Sequence, residues 1–512
     1  MSTWQTEALK AKTTLQSSIP TQWLLPEDKL PPSDQKNVAD FPRASGLLTD
    51  RELSITEMSA TALVAGMGAG RFSAEEVVVA FLKRAVLGHQ LLNFATEFMA
   101  DKAIARAKEL DAYYRRTGKL VGPLHGVPIS VKEHIGIKGL TCNGGYVAWV
   151  NDIAPEDALI LQCLHKAGAI FHVRTNQPQS LMHLCCSNNL TGTTTNPYNR
   201  TLTPGGSSGG EGASMGFKCA PLGAPEPGQE AILGVVGPLA AQSLDDLELF
   251  QRVVLDAEPW DVETSLVPLP WRRVKENREF TVGIMWDDGT VRPHPPIIRA
   301  LKAARSKLQA AGIKVVDWDP YKHAHGWDII SKLYFPDTAS SQKTLLSQTN
   351  EPILPLTEWA FSYAHPTPLS IAEAWALNVA RDEYRDEYHA RMKAMDVDFI
   401  LCPAYVGVAP DLYEAQYWNY TAVWNVLDLP AVVFPSGMAV EEGDVGGKEG
   451  WVARNEVEER EWRKWWVDPG RFVGAPVGLQ MVGGHFKDEE TIAAAKVVEE
   501  VVRGSEGGRA RL

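Results

Sequence analysis

Twice along this chain a helix-length run ends at a glycine and passes directly into a short β-branched run. The first covers 155–167, opens on Pro155, stops at Gly168 and enters 169–173. The second covers 296–311, opens on Pro296, stops at Gly312 and enters 313–316. Proline just inside a helix start and glycine just past its end is the asymmetry that fixed φ and left-handed backbone favour. Helices alternating with such runs must cover both faces of the strands, which predicts an α/β fold on a largely parallel or mixed sheet. Ser73 and Glu76, ahead of the apolar run at 77–79, predict a further helix start with a capping box. Ile104, Ala107, Leu110 and Tyr114 share one helical face.

With 512 residues, 45% of them hydrophobic, the chain can bury a large core. Residues 1–45 are polar and proline-punctuated and read as an N-terminal arm; 46–512 read as one domain. Within it, 441–466 is Gly-rich, charged and Trp-rich without a clear period, and reads as a surface insertion; such a segment can cover a site, but a passive excursion is the plainer expectation. The formal net charge is −13 with no Lys/Arg block, so neither nucleic acid nor an anionic membrane is an expected partner. The opening MSTWQTEALKAK has no apolar signal-peptide core, and the apolar stretch 421–440 is broken by Asn425, Asp428 and Pro430. These features predict a cytoplasmic protein. The last residues, Ala510-Arg511-Leu512, resemble a variant of the peroxisomal address, but a three-residue match is weak and a frayed polar tail is the plainer reading.

Cys142, Cys163, Cys185, Cys186, Cys219 and Cys402 have neither metal-ligand nor CxxC spacing. The adjacent pair Cys185 and Cys186 allows a vicinal disulfide, but two reduced thiols near the core are the plainer expectation. His323 and His325 have no third ligand at fitting spacing and read as structural. No phosphate-cradling glycine loop follows a strand, so no cofactor is expected.

Two segments carry chemistry. In the first, Val127, Ile129 and Val131 predict a strand, and Lys132 stands at its end beside Glu133. An ammonium leaving a buried strand is costly, and such a lysine can serve as a base once its proton is lost; a surface Lys–Glu pair is the structural alternative. In the second, the turn-rich 191–198 leads into Gly205-Gly206-Ser207-Ser208-Gly209-Gly210-Glu211-Gly212. Paired glycines around two serines permit unusual backbone and close ligand approach, and their N–H groups can face an anion or a carbonyl oxygen. A flexible linker would not be flanked by Thr/Asn/Pro turn residues on one side and Glu-Gly-Ala on the other.

The Gly-Ser tract downstream of Pro128-Ile129-Ser130-Val131-Lys132 resembles the paired hallmark of the amidase-signature family, closest to its fungal-type acetamidases. Supporting stretches in order include Gly228-Gln229-Glu230, Val235-Val236-Gly237-Pro238-Leu239, Pro293-His294-Pro295-Pro296 and Gly474-Ala475-Pro476-Val477-Gly478-Leu479-Gln480. The resemblance covers nearly the whole chain. It implies an amidase-signature α/β fold with a mixed β-sheet core covered by helices, no cofactor, and a small-molecule amide substrate; it leaves a homodimer open. It further implies hydrolysis by a Ser–Ser–Lys triad: Lys132 as base, Ser207 as proton relay on a cis peptide, and Gly205, Gly206, Ser208, Gly209 and Gly210 as the supporting loop.

The family's nucleophile stands in a Thr-Asp-Ile-Gly-Gly-Ser stretch, and this chain has none. At the family's spacing from Ser207 the position is Ala231. The chain departs from the family between about 214 and 228, and the residues from Gly228 onward match a later family segment. On the order of a few dozen residues are therefore missing, a deletion rather than a substitution. Three readings stand: a shortened isoform or misread intron boundary of a normal amidase; a non-catalytic amidase-fold binding or regulatory protein; and a reduced Ser–Lys dyad in which Ser207 or Ser208 attacks.

Overall fold

The computed structural model describes residues 3–224, 240–446 and 448–504. Ala231, the family segments at 228–230 and 235–239, and the C-terminal 510–512 lie outside the described residues.

The predicted α/β architecture is present as two five-stranded mixed sheets and one small hairpin. The strands are β1 (Ala95–Phe98), β2 (Pro128–Lys132), β3 (Ile170–Thr175), β4 (Ser187–Asn188), β5 (Gly192–Thr193), β6 (Leu222–Ala224), β7 (Ala240–Ala241), β8 (Thr281–Ile284), β9 (Lys314–Asp317), β10 (Phe399–Pro403), β11 (Ala431–Ala439) and β12 (Pro476–Val482). The first sheet runs β1-β3-β2-β6-β7, with β3, β2 and β6 parallel and the two outer strands antiparallel. The second runs β11-β12-β10-β8-β9, with β10, β8 and β9 parallel and β11 and β12 antiparallel. β4 and β5 form the hairpin.

β2 lies between β3 and β6, and all five of its residues are buried. Its sequence shows no clean apolar–polar alternation because both of its faces are covered. Over the first sheet packs the helix Ala74–Leu92, whose Val77, Phe81 and Leu82 join Ile170, Val173 and Phe217 in one core. The capping box of Ser73 and Glu76 forms as predicted. In the helix Ala100–Thr117, Ala107 and Leu110 are buried while Ile104 and Tyr114 flank them half-buried. Over the second sheet the helix Pro295–Ala310 buries Ile297, Ala300, Leu301, Ala304 and Leu308 along one stripe.

Two local expectations change. The helix expected over 155–167 covers only Leu159–Lys166. Before it, Ala154 and Ala158 exchange backbone hydrogen bonds with Gly136, Gly139 and Leu140, which holds that stretch out of the helix. The segment 441–466, expected as a surface insertion, contributes the helix Glu456–Val467, which buries Glu458, Trp462 and Trp465. His294 packs against both indoles, at 5.3 Å from Trp462 and 5.1 Å from Trp465. Arg292 pairs with Glu458 at 2.7 Å. Two tryptophans three residues apart thus give this stretch a core-facing side that its charged composition masks.

The 421–440 stretch divides into the helix Asn419–Leu427 and β11, and among the described residues no helix is long and apolar enough to cross a membrane. All six cysteines are free, and Cys185 and Cys186 are both buried. His323 stacks on Tyr388 at 5.9 Å and His325 meets Tyr384 edge-on at 5.8 Å, the packing roles expected of them.

Candidate active site

Lys132 ends β2 with a side chain that is almost wholly enclosed, at 1% exposure. Glu133 follows it, and because successive side chains leave opposite sides of a strand, the two do not pair. Glu133 instead accepts hydrogen bonds from the N–H groups of Asn143 at 2.8 Å and Gly144 at 3.1 Å and from Gln177 Nε2 at 2.5 Å. The surface Lys–Glu alternative is therefore overturned: both groups are buried, and each faces its own set of partners.

Lys132 Nζ donates to Ser207 Oγ at 2.8 Å, joining the two sequence segments across 75 residues. Ser207 follows a cis peptide bond from Gly206. The glycine tract is threaded through a narrow gap. A Cβ on Gly206 would lie 2.4 Å from the His183 carbonyl oxygen and 2.5 Å from that of Cys185. A Cβ on Gly210 would lie 2.3 Å from the Asn176 nitrogen, and the Gly210 N–H donates to the Asn176 carbonyl at 3.0 Å. These glycines are there because two other backbones approach too closely for any side chain.

Ser208 occupies the N-cap of the helix Gly209–Gly216 without a side-chain capping bond; its carbonyl accepts from the Gly212 N–H at 2.9 Å. Gly205 has φ 101°, in the left-handed region that glycine tolerates. The turn residues upstream lock the tract to its neighbours. Thr194 Oγ1 donates to the Asn93 carbonyl at 2.8 Å, and Asn196 Nδ2 donates to the Thr203 carbonyl at 3.0 Å. The segment is thus an ordered bed of hydrogen bonds rather than a linker.

Sequence reasoning missed three residues of this neighbourhood. Glu211, in the first turn of the Gly209–Gly216 helix, is buried and accepts from Ser130 Oγ at 2.5 Å and from Thr175 Oγ1 at 2.7 Å. Burial pushes its carboxyl up to about 7, against the opposing pull of the two hydroxyls and of the Lys132 charge. A weak signal was available: Ser130 is a polar residue inside a buried strand, with the same parity as Lys132.

A buried lysine amine and a serine hydroxyl at hydrogen-bond distance can pass a proton between them. Among the described residues no group of three His, Cys, Asp or Glu side chains is placed to hold a metal ion.

A family profile described as Amidase matches residues 76–225 and 224–492. A Schizosaccharomyces pombe protein named as an amidase is 42% identical over 527 aligned positions, covering 96% of this chain and 98% of its own. The Acetamidase of Emericella nidulans is 34% identical over 543 positions, covering 97% of each chain. Among solved structures, one named Fatty acid amide hydrolase superposes with a TM-score of 0.92 at 37% identity, covering 98% of this chain and 95% of that one.

Proposed function

The chain belongs to the amidase family, and on that premise we propose that it is a shortened form of a serine amidase, one that cleaves a carboxylic amide to the acid and ammonia or an amine. In this reading Lys132 is the base and Ser207 the proton relay. The attacking serine belongs to a segment absent from this sequence near 224. The chemistry is acyl transfer. Ser207 Oγ takes the proton of the attacking hydroxyl while passing its own to the Lys132 amine. The new C–O bond forms as the amide C–N bond breaks, and the proton returns through the same pair to the departing nitrogen; water then attacks the acyl ester, giving its proton through the same pair to the serine oxygen as that C–O bond breaks and the acid leaves.

The single observation that carries the assignment is the 2.8 Å bond from Lys132 Nζ to Ser207 Oγ. It joins two side chains whose sequence contexts resemble the same family hallmark. The shortening is supported by the matched family segments, which abut at 224–225. It is supported too by alignments that run over 527 and 543 positions, longer than this 512-residue chain. The names of these relatives span acetamide and fatty acid amides, so the shared element is the carboxamide rather than a particular acyl tail.

Losing one oxyanion donor typically costs ~100–1000-fold in rate. A chain without the nucleophile or the donors around it is therefore expected to be hydrolytically silent. The test is a fluorophosphonate probe followed by peptide mapping. The 512-residue chain should remain unlabelled, and a longer transcript product should be labelled on a serine of the added segment, dependent on Lys132. Label on Ser207 or Ser208 of the 512-residue chain would overturn the shortened-form reading in favour of a working dyad. Absence of label from every product of the gene would favour a non-catalytic amidase-fold binding protein.

A further inference from the structure

Asn176 directly follows the residue that pairs with Lys132. Thr175, the last residue of β3, is the register partner of Lys132, and its carbonyl accepts from the Glu133 N–H at 3.1 Å. The next residue reaches the glycine tract. The Asn176 N–H donates to the Phe94 carbonyl at 2.7 Å, and the Asn176 carbonyl accepts from the Gly210 N–H at 3.0 Å. Gly210 stands three residues after Ser207. Two adjacent residues therefore hold both the strand that ends in the amine and the segment that carries the hydroxyl.

The Asn176 side chain is wholly buried and uses every hydrogen-bonding position that an amide has. Its Nδ2 donates to the Gly192 carbonyl at 3.2 Å and to Thr194 Oγ1 at 3.0 Å. Its Oδ1 accepts from Asn188 Nδ2 and from Thr191 Oγ1, each at 2.8 Å. All four partners lie on the β4–β5 hairpin, in its turn or just past its end. The hairpin in turn backs the tract, because a Cβ on Gly209 would lie 2.4 Å from that of Cys186, the residue before β4. Asparagine is the residue that fits: aspartate lacks the two donors, glutamine is one carbon longer, and an apolar residue would make none of the four bonds. A fully satisfied buried network of this kind fixes one geometry.

We propose that Asn176 is a positioning residue that fixes Ser207 against Lys132. This rests on the reading of Lys132 and Ser207 as base and relay. Asn176 acts through the backbone: four side-chain bonds hold its peptide unit still, and that unit sets where the tract turns into the helix Gly209–Gly216.

The 512-residue protein tests the anchoring directly, through amide hydrogen exchange of the peptide 204–216 read by mass spectrometry. Asn176→Ala should exchange there about tenfold faster, the change that a net loss of one or two hydrogen bonds produces. Asn93→Gly is the control. It removes two other side-chain bonds to the same hairpin, those to the Thr191 and Thr193 carbonyls, and leaves Asn176 its partners. It should leave exchange over 204–216 at the parent's rate. Parental exchange in Asn176→Ala overturns the proposal, as does equal acceleration by both variants. If Asn176→Ala does not fold, Asn176→Asp, which keeps both acceptor contacts and loses both donations, takes its place. In a product that carries the nucleophile segment, Asn176→Ala should lower kcat by ~100-fold with KM little changed, since a displacement of about 1 Å can cost that much. In a Lys132→Met background the same substitution should cost nothing further, because groups that act as a unit are not additive. A full additional loss would mark Asn176 as merely structural and overturn the proposal. Lys132→Met without effect on kcat would instead remove the base assignment and leave the exchange result standing.

Discussion

The amine of Lys132 and the hydroxyl of Ser207 lie 2.8 Å apart although 75 residues separate them in the chain. The lysine comes from the middle strand of the first sheet, and the serine from a loop pinned against the ends of β3 and the 183–185 segment. Neither side chain could be positioned by its own segment alone.

Replacing Lys132 by Met keeps most of the buried volume and removes the proton acceptor. In a product that carries the nucleophile segment, kcat should fall by ~100-fold or more, the usual span of a general base, with little change in KM. Steady-state kinetics on an amide substrate check this; an unchanged kcat would remove Lys132 from the reaction.

Gly210→Ala should destabilise the chain by about 1–3 kcal/mol, as overpacking typically does. The added methyl would stand 2.3 Å from the Asn176 nitrogen, a backbone atom already held by its own hydrogen bond to the Phe94 carbonyl at 2.7 Å, so nothing nearby can yield cheaply. Urea unfolding of the variant measures the loss, and a stability equal to that of the parent would contradict the tight threading.

Trp465→Ala tests whether 441–466 is integral to the fold. Trp465 is buried, stacked on Phe472 at 5.3 Å and packed on His294. Truncating a fully buried large aromatic costs about 3–5 kcal/mol. A thermal midpoint within a degree of the parent would show that the segment is a passive excursion after all.

Stability should fall as pH drops below 6.5. Burial pushes the ring of His172 down to about 4 and that of His323 down to about 3, from an ordinary 6.5. Between those values the unfolded imidazole takes up a proton that the folded one refuses. The stabilisation is complete above 6.5 and is lost as pH falls toward the folded values, by up to ~1.4 kcal/mol per pH unit per histidine. Denaturant midpoints from pH 7 to pH 4 check the direction; a flat profile would mean that these rings are not shielded.

The native protein should react slowly with a thiol reagent and yield six thiols once unfolded. All six cysteines are free and all but Cys142 are buried. Cys142 Sγ donates to the His134 carbonyl at 2.8 Å, and its thiol is pushed up to about 11, mainly by burial. A titre of four after unfolding without reductant would indicate that Cys185 and Cys186 had closed a disulfide.

Much of this molecule was legible in its residues. The alternation of helices with β-branched runs predicted the α/β class, and Ser73 with Glu76 predicted a capping box that forms. These are local properties, set by steric and hydrogen-bonding preferences within a few residues. The glycine tract and Lys132 stood out for the same reason, as residue types that a plain core or linker does not use. What the tertiary structure alone decided is which side chains face one another. Glu133 abuts Lys132 in sequence yet points elsewhere, because strand side chains alternate. Glu211 lies 36 residues from Thr175 and 81 from Ser130 yet bonds to both, because the order β3-β2-β6 brings the start of its helix over the end of β2. The helix Glu456–Val467 reads as solvated by composition, but its tryptophans turn inward against His294. Such contacts depend on sheet order and on how closely backbones pass. Strand pairing joins distant segments, so the deciding partner of each of these groups lies outside any local window of the chain.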